Sequence, residues 1–130
     1  MITRLNHVQL AGPRGCEPRM RDFYARVLGL DEIAKPPSLA GRGGAWFAGP
    51  GFELHVGIEE PFTPARKAHP AFEVASLESA AAQLTAAGHE VTRDDPLDIP
   101  DGRRYLRFFV NDPAGNRVEF LQPDDGGPSA

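Results

Sequence analysis

The same order of elements can be read twice along this chain, and a plan repeated within 130 residues leaves few folds open. Residues 4–10, RLNHVQL, alternate as a half-buried strand. Glu17–Leu28 then carries Met20, Phe23, Tyr24, Val27 and Leu28 at helical spacing, with Pro18 in the first turn and Gly29 just past the end. Three short strands follow at about 31–35, 44–48 and 52–58, punctuated by Gly41, Gly43, Gly44, Gly49, Pro50 and Gly51. Residues 59–68, EEPFTPARKA, read as a linker, after which the plan returns. A strand at 68–74 leads through Ser76, a good N-cap, into a helix at 77–87 whose apolar face is Leu77, Ala80, Ala81, Leu84 and Ala87. Strands near 89–93, at 104–110 and at 116–122 complete it, with the acidic stretch Asp94–Asp101 read as a loop.

The expectation is therefore an α+β fold built from two βαβββ modules, about 3–60 and 67–123, forming a curved mixed sheet around a cleft. Length and 41% hydrophobic content suit one domain over residues 1–130, with a disordered tail at 124–130. Fourteen Lys and Arg against 18 Asp and Glu give a net charge of −4 without a basic run, which argues against nucleic acid as a partner. No apolar stretch is long enough to span a membrane, and the N-terminus lacks the order of a signal peptide, so a cytoplasmic location is expected. Cys16 is the one cysteine; with no activating partner nearby in sequence, it reads as incidental.

The segment Phe109–Phe120, FVNDPAGNRVEF, is two apolar runs joined by a turn that Asp112-Pro113 starts and Gly115 completes with positive φ. Alternation then places Glu119 in mid-strand with Arg117 and Leu121, and a carboxylate there needs solvent, a partner or a cation. Superposing the two halves puts His55 opposite Glu119 and His7 opposite His69. Three of the chain's four histidines thus occupy equivalent first- or last-strand positions. If the sheets face each other, His7, His55, His69 and Glu119 converge, and three imidazoles with one carboxylate suit a divalent Mn, Fe, Co, Ni or Zn ion. Glu53 shares a strand face with His55 and competes for the fourth-ligand role, whereas His89 ends a helix and reads as a dipole partner. Trp46, Phe47, Tyr105 and Phe109 are candidates for pocket walls; Arg103, Arg104 and Arg107 are candidates to meet an anionic substrate group.

The βαβββ repeat, His7, the HPAF run from His69 and the closing DPAGNRVEF resemble the vicinal oxygen chelate superfamily of glyoxalases, bleomycin and fosfomycin resistance proteins and extradiol dioxygenases. The resemblance covers about residues 3–123 and implies metal ligands at His7, His69 and Glu119, with His55 at a fourth-strand position that is acidic in glyoxalase I. It also implies a homodimer, whose sites close within one chain or between exchanged modules. Pro70 removes a ladder donor beside His69, so a bulge or edge is expected there.

The first functional reading is a metal-dependent lyase, isomerase or dioxygenase whose small substrate chelates the ion through vicinal oxygens, with His55 and Glu119 as candidate bases. The alternative is a metal-free binding or drug-sequestering protein. A third is a thiol transferase of the fosfomycin-resistance type, although neither its thiol site nor its potassium loop is evident.

Overall fold

The computed structural model describes residues 1–125, so all but the first two positions of the expected tail lie outside the described residues. The chain divides into two compact units. The first is Met1–Arg66 together with the turn Asp112–Asn116; the second is Lys67–Asn111 and the chain from Arg117.

In the first unit, β1 (His7–Gly12), β2 (Asp31–Ile33), β3 (Ala45–Gly49) and β4 (Phe52–Ile58) form a sheet of order β1-β4-β3-β2. Strand β1 runs parallel to β4, and the other pairs are antiparallel. The helix begins at α1 (Glu17–Arg21), but over Asp22–Val27 it widens to a π-helical turn in which Leu28 N donates to Phe23 O. The uniform helix expected through Leu28 thus changes its winding part-way. Gly29, at φ 80°, ends it as expected. Met20, Phe23 and Tyr24 from this segment and Leu10, Ala45, Phe47, Leu54 and Val56 from the sheet make the core. Each fully buried large side chain of this kind contributes about 1.5–3 kcal/mol. A short 3₁₀ turn, Pro37–Arg42, precedes β3.

The Asp112–Asn116 turn is held by Asp112 itself. Its Oδ1 accepts from the N–H groups of Ala114 and Asn116, and its Oδ2 accepts from the Tyr24 hydroxyl at 2.7 Å and from Asn116 Nδ2 at 3.0 Å. Asn116 in turn donates to Ala11 O and accepts from Ala65 N. Gly115 has φ 91°, as the turn chemistry requires.

The second unit repeats the architecture with β5 (Ala71–Glu73), β6 (Thr92–Asp98), β7 (Arg104–Asn111) and β8 (Arg117–Pro123) in the order β5-β8-β7-β6, and α2 (Leu77–Ala86). Ser76 caps α2, its Oγ accepting from Ser79 N. Leu77, Ala81 and Leu84 of α2 are buried, as are Phe108, Val110, Val118 and Phe120 of the sheet. Two expectations are corrected here. Much of the acidic Asp94–Asp101 stretch is strand: β6 is an edge strand, which tolerates exposed charge and accommodates Pro96 at a register shift between Asp94 and Leu97. Strand β5 starts only at Ala71, so His69 precedes it instead of lying on it; Pro70 has no N–H for the ladder, and its carbonyl accepts from Glu119 N. Among the described residues, no helix is long and apolar enough to cross a membrane.

Candidate functional site

Ladder register shows that the candidate residues occupy matching places in the two units. Gln9 pairs with His55 across β1 and β4, and Ala71 pairs with Glu119 across β5 and β8. In each unit a histidine lies two residues before the first-strand partner, His7 on β1 and His69 just ahead of β5, so His7 matches His69 and His55 matches Glu119. The match extends sideways: Trp46 pairs with His55 as Phe109 pairs with Glu119. Because side chains alternate, the helix-facing core takes Leu54 and Val56 or Val118 and Phe120, and the opposite face takes Glu53 and His55 or Arg117 and Glu119.

In the first unit this face carries a three-ring stack. The His55 imidazole lies between the indole of Trp46, at 3.7 Å and 3°, and the imidazole of His7, at 4.1 Å and 17°. His55 is 3% exposed, and its Nε2 is 2.9 Å from Glu53 Oε1. A carboxylate only accepts, so Nε2 carries a proton, which in the neutral ring leaves the lone pair on Nδ1. His7 is exposed, with Nδ1 2.9 Å from Asn6 Oδ1. An imidazole lone pair lies in the ring plane, and two nearly parallel planes about 4 Å apart do not meet at a point about 2 Å from both nitrogens. As placed, His7 and His55 do not point at one ion.

In the second unit, His69 Nδ1 is 2.8 Å from Lys67 O and Nε2 is 2.9 Å from Glu119 Oε1. Lys67 O only accepts, so the His69–Glu119 contact is satisfied by a proton shared between the ring and the carboxyl or by a cation between Nε2 and the carboxylate. A backbone carbonyl that fixes the distal nitrogen is the arrangement that orients a metal-ligating histidine. Glu119 is buried, and Arg107 Nη1 is 3.3 Å from its Oε2. Phe109 stands edge-on to His69 and beneath the Arg117 guanidinium, 3.9 Å from the ring centre.

The donor types therefore fit a first-row divalent ion, although each sheet supplies a pair. Among the described residues, no group of three or more His, Cys, Asp or Glu side chains is gathered to hold one.

The other expected residues sort by strand parity. Tyr105, Arg107 and Phe109 are alternate residues of β7 and share the face of Glu119. Phe47 does not join Trp46: adjacent residues point to opposite faces, and Phe47 is fully buried against Tyr24, so its assignment to a pocket wall is corrected to core. Arg103 is exposed and paired with Asp101, and Arg104 is half-buried and paired with Asp98 and Asp124. Cys16 is buried, and that burial, with Glu17 beside it, pushes its thiol pKa up, which disfavours the reactive thiolate. Arg117, over Phe109, was assigned no site role from sequence, although its parity with Glu119 was available to place it on this face.

A family model, the Glyoxalase/Bleomycin resistance protein/Dioxygenase superfamily, matches residues 4–120. A glyoxalase family protein from Bacillus anthracis is 43% identical, with TM-score 0.86 over 95% of this chain and 98% of that one. A lactoylglutathione lyase from Agrobacterium tumefaciens shares the fold at 17% identity and TM-score 0.66, over 94% of this chain and 95% of that one. A fosfomycin resistance protein from Listeria monocytogenes does so at 16% and 0.70, over 100% and 96%. No curated protein matches the chain.

Proposed function

Because this chain belongs to the glyoxalase/bleomycin resistance protein/dioxygenase superfamily, we propose that it is a divalent-metal-dependent enzyme of lyase, isomerase or dioxygenase type, acting on a small substrate that chelates the ion through vicinal oxygens. The observation that carries this reading is His69, whose two ring nitrogens both face acceptors, Lys67 O and the buried Glu119 carboxylate. His69 and Glu119 are the ligands proposed in the second unit, and His7 is carried as a ligand of the first on the sequence resemblance alone. His55, also named as a ligand from the sequence, is assigned here to proton transfer, because the stack and Glu53 hold it.

A bound divalent ion supplies stabilisation of negative charge on the substrate's oxygens. The chain's own groups do the rest. Lys67 O holds His69 in the tautomer that leaves Nε2 toward Glu119. Glu53 holds the Nε2 proton of His55, so Nδ1 is the atom that accepts a proton from substrate and returns it. Trp46 covers one face of that imidazole and keeps water from it. The protein acts as a homodimer in this proposal.

The alternative, a sequestering protein without metal, draws on Arg107, which already neutralises Glu119, and on the fold shared with an antibiotic-binding protein from Streptomyces sp. CB03234 at 21% identity and TM-score 0.72, over 95% of this chain and 98% of that one. Elemental mass spectrometry on untagged wild type, His7→Ala, His69→Ala and Glu119→Ala separates the two. Near-stoichiometric metal in the wild type, lost in the folded variants, is expected; no uptake of Mn, Fe, Co, Ni or Zn by the wild type sinks the enzyme reading.

A further inference from the structure

Arg107 is tied down by three contacts from the two strands that flank its own. Its Nη1 lies 3.3 Å from Glu119 Oε2 on β8, its Nη2 3.4 Å from Asp94 Oδ2 on β6, and its Nε donates to Asp95 O at 2.9 Å. The Asp95 carbonyl meets the guanidinium where the β6–β7 register slips between Asp94 and Leu97. A guanidinium anchored at Nε and Nη2 has little freedom left for Nη1, which is the atom held against Glu119. The carboxylate is 6% exposed, so this contact is screened far less than the more open Arg104–Asp98 pair of the same strand.

Resting on the metal reading above, we propose that Arg107 is the resident counter-cation of Glu119 and sets the protein's affinity for metal: a divalent ion takes the carboxylate only by displacing the Nη1 contact. The fixed positive charge and the incoming ion share one buried anion and repel each other, so the arginine raises the concentration of metal needed to fill the site. Ions that bind carboxylate and imidazole strongly overcome this opposition, and weakly held ions do not. Arg107 is thus a specificity-determining residue. The nearby charged and titratable groups are His69, Glu119, Asp94 and, across Phe109, Arg117.

The test is a titration of metal-free wild type, Arg107→Gln, Arg107→Lys and Arg104→Gln with manganese(II) chloride, counting free ion by its electron paramagnetic resonance signal. Circular dichroism confirms that each variant is folded. Arg107→Gln keeps an amide able to donate to Asp95 O but removes the charge, and its Kd is expected to fall at least tenfold. Arg107→Lys keeps the charge without the fork and should fall in between. Arg104→Gln removes the same charge from the other face of β7 and should stay within twofold of wild type. Equal or weaker binding by folded Arg107→Gln overturns the inference while leaving the metal reading intact. Absence of binding by wild type and Arg107→Gln alike overturns both. If Arg107→Gln does not fold, Arg107→Lys decides by the same comparison, an unchanged or raised Kd being the overturning result.

Discussion

The imidazole of His7 lies against that of His55, ring centres 4.1 Å apart, and Trp46 closes the stack from the other side at 3.7 Å. His55 is thus a packed ring as well as a polar one, and it lies beside the only tryptophan of the chain. His55→Ala is expected to cost about 2 kcal/mol, because a buried ring is lost and Glu53 forfeits its partner. Trp46 emission should shift to longer wavelength as water reaches the uncovered indole face. Urea unfolding followed by fluorescence reads both; an unchanged emission maximum would show that the stack does not persist in solution.

Tyr24 joins the helical segment of the first unit to the Asp112–Asn116 turn, 88 residues away in sequence, through a 2.7 Å bond from its hydroxyl to Asp112 Oδ2. Asp112 is 3% exposed and Tyr24 fully buried. Tyr24→Phe leaves the carboxylate with one donor fewer, and a loss of about 1–3 kcal/mol is expected from denaturant midpoints. A change below 0.5 kcal/mol, on the order of a surface substitution, would mean that the bond is not formed.

Burial, the Asp112 charge and this hydrogen bond all raise the Tyr24 pKa well above its ordinary value. Burial also raises that of Cys16. The sign follows from linkage. A group whose folded pKa exceeds its unfolded value stabilises fully below the unfolded pKa and loses that contribution as pH rises toward the folded one. Stability should therefore decline in two overlapping stages, from about pH 8.5 for the thiol and from about pH 10 for the phenol. Cys16→Ala should flatten the first stage and Tyr24→Phe the second, in urea midpoints measured from pH 7 to 11. A wild-type midpoint constant to pH 11 would refute both assignments.

What could be read from the sequence was what depends on neighbours along the chain. The bounds of β4, 52–58, Ser76 as a cap and Gly29 and Gly115 at positive φ are local choices, and they appear as expected. The pairing of His7 with His69 and of His55 with Glu119 also came from sequence, because the repeat preserves ladder register. What was missed is decided at a distance. Prolines and four aspartates make residues 94–101 look like loop, yet β7 offers an edge along which β6 pairs through Asp98. Neither the Tyr24–Asp112 bond nor the π-helical winding of Asp22–Val27 has a pattern along the chain to announce it. Phe47 is different: its parity with Trp46 already barred the two from one face, and grouping them as aromatics overlooked the strand period.

Gly44 and Gly51 have nearly the same backbone, at φ 87° and 77°, which makes them a controlled pair. A Cβ on Gly44 would stand 2.1 Å from the Val56 carbonyl oxygen at the start of the β3–β4 ladder, and backbone there moves only by breaking the ladder. A Cβ on Gly51 would meet nothing within 4 Å. Gly51→Ala therefore carries the left-handed strain alone, about 1–2 kcal/mol. Gly44→Ala adds a clash with main chain and should cost at least about 2 kcal/mol more, enough to leave a domain of this size only marginally folded at 37 °C. Because Val56 adjoins His55, partial relief of the clash should also disturb the ring stack. Trp46 fluorescence is thus expected to change in Gly44→Ala under native conditions and to match wild type in Gly51→Ala. Equal destabilisation of the two variants would show that the ladder yields at Val56 and that the strain, not the contact, sets the cost.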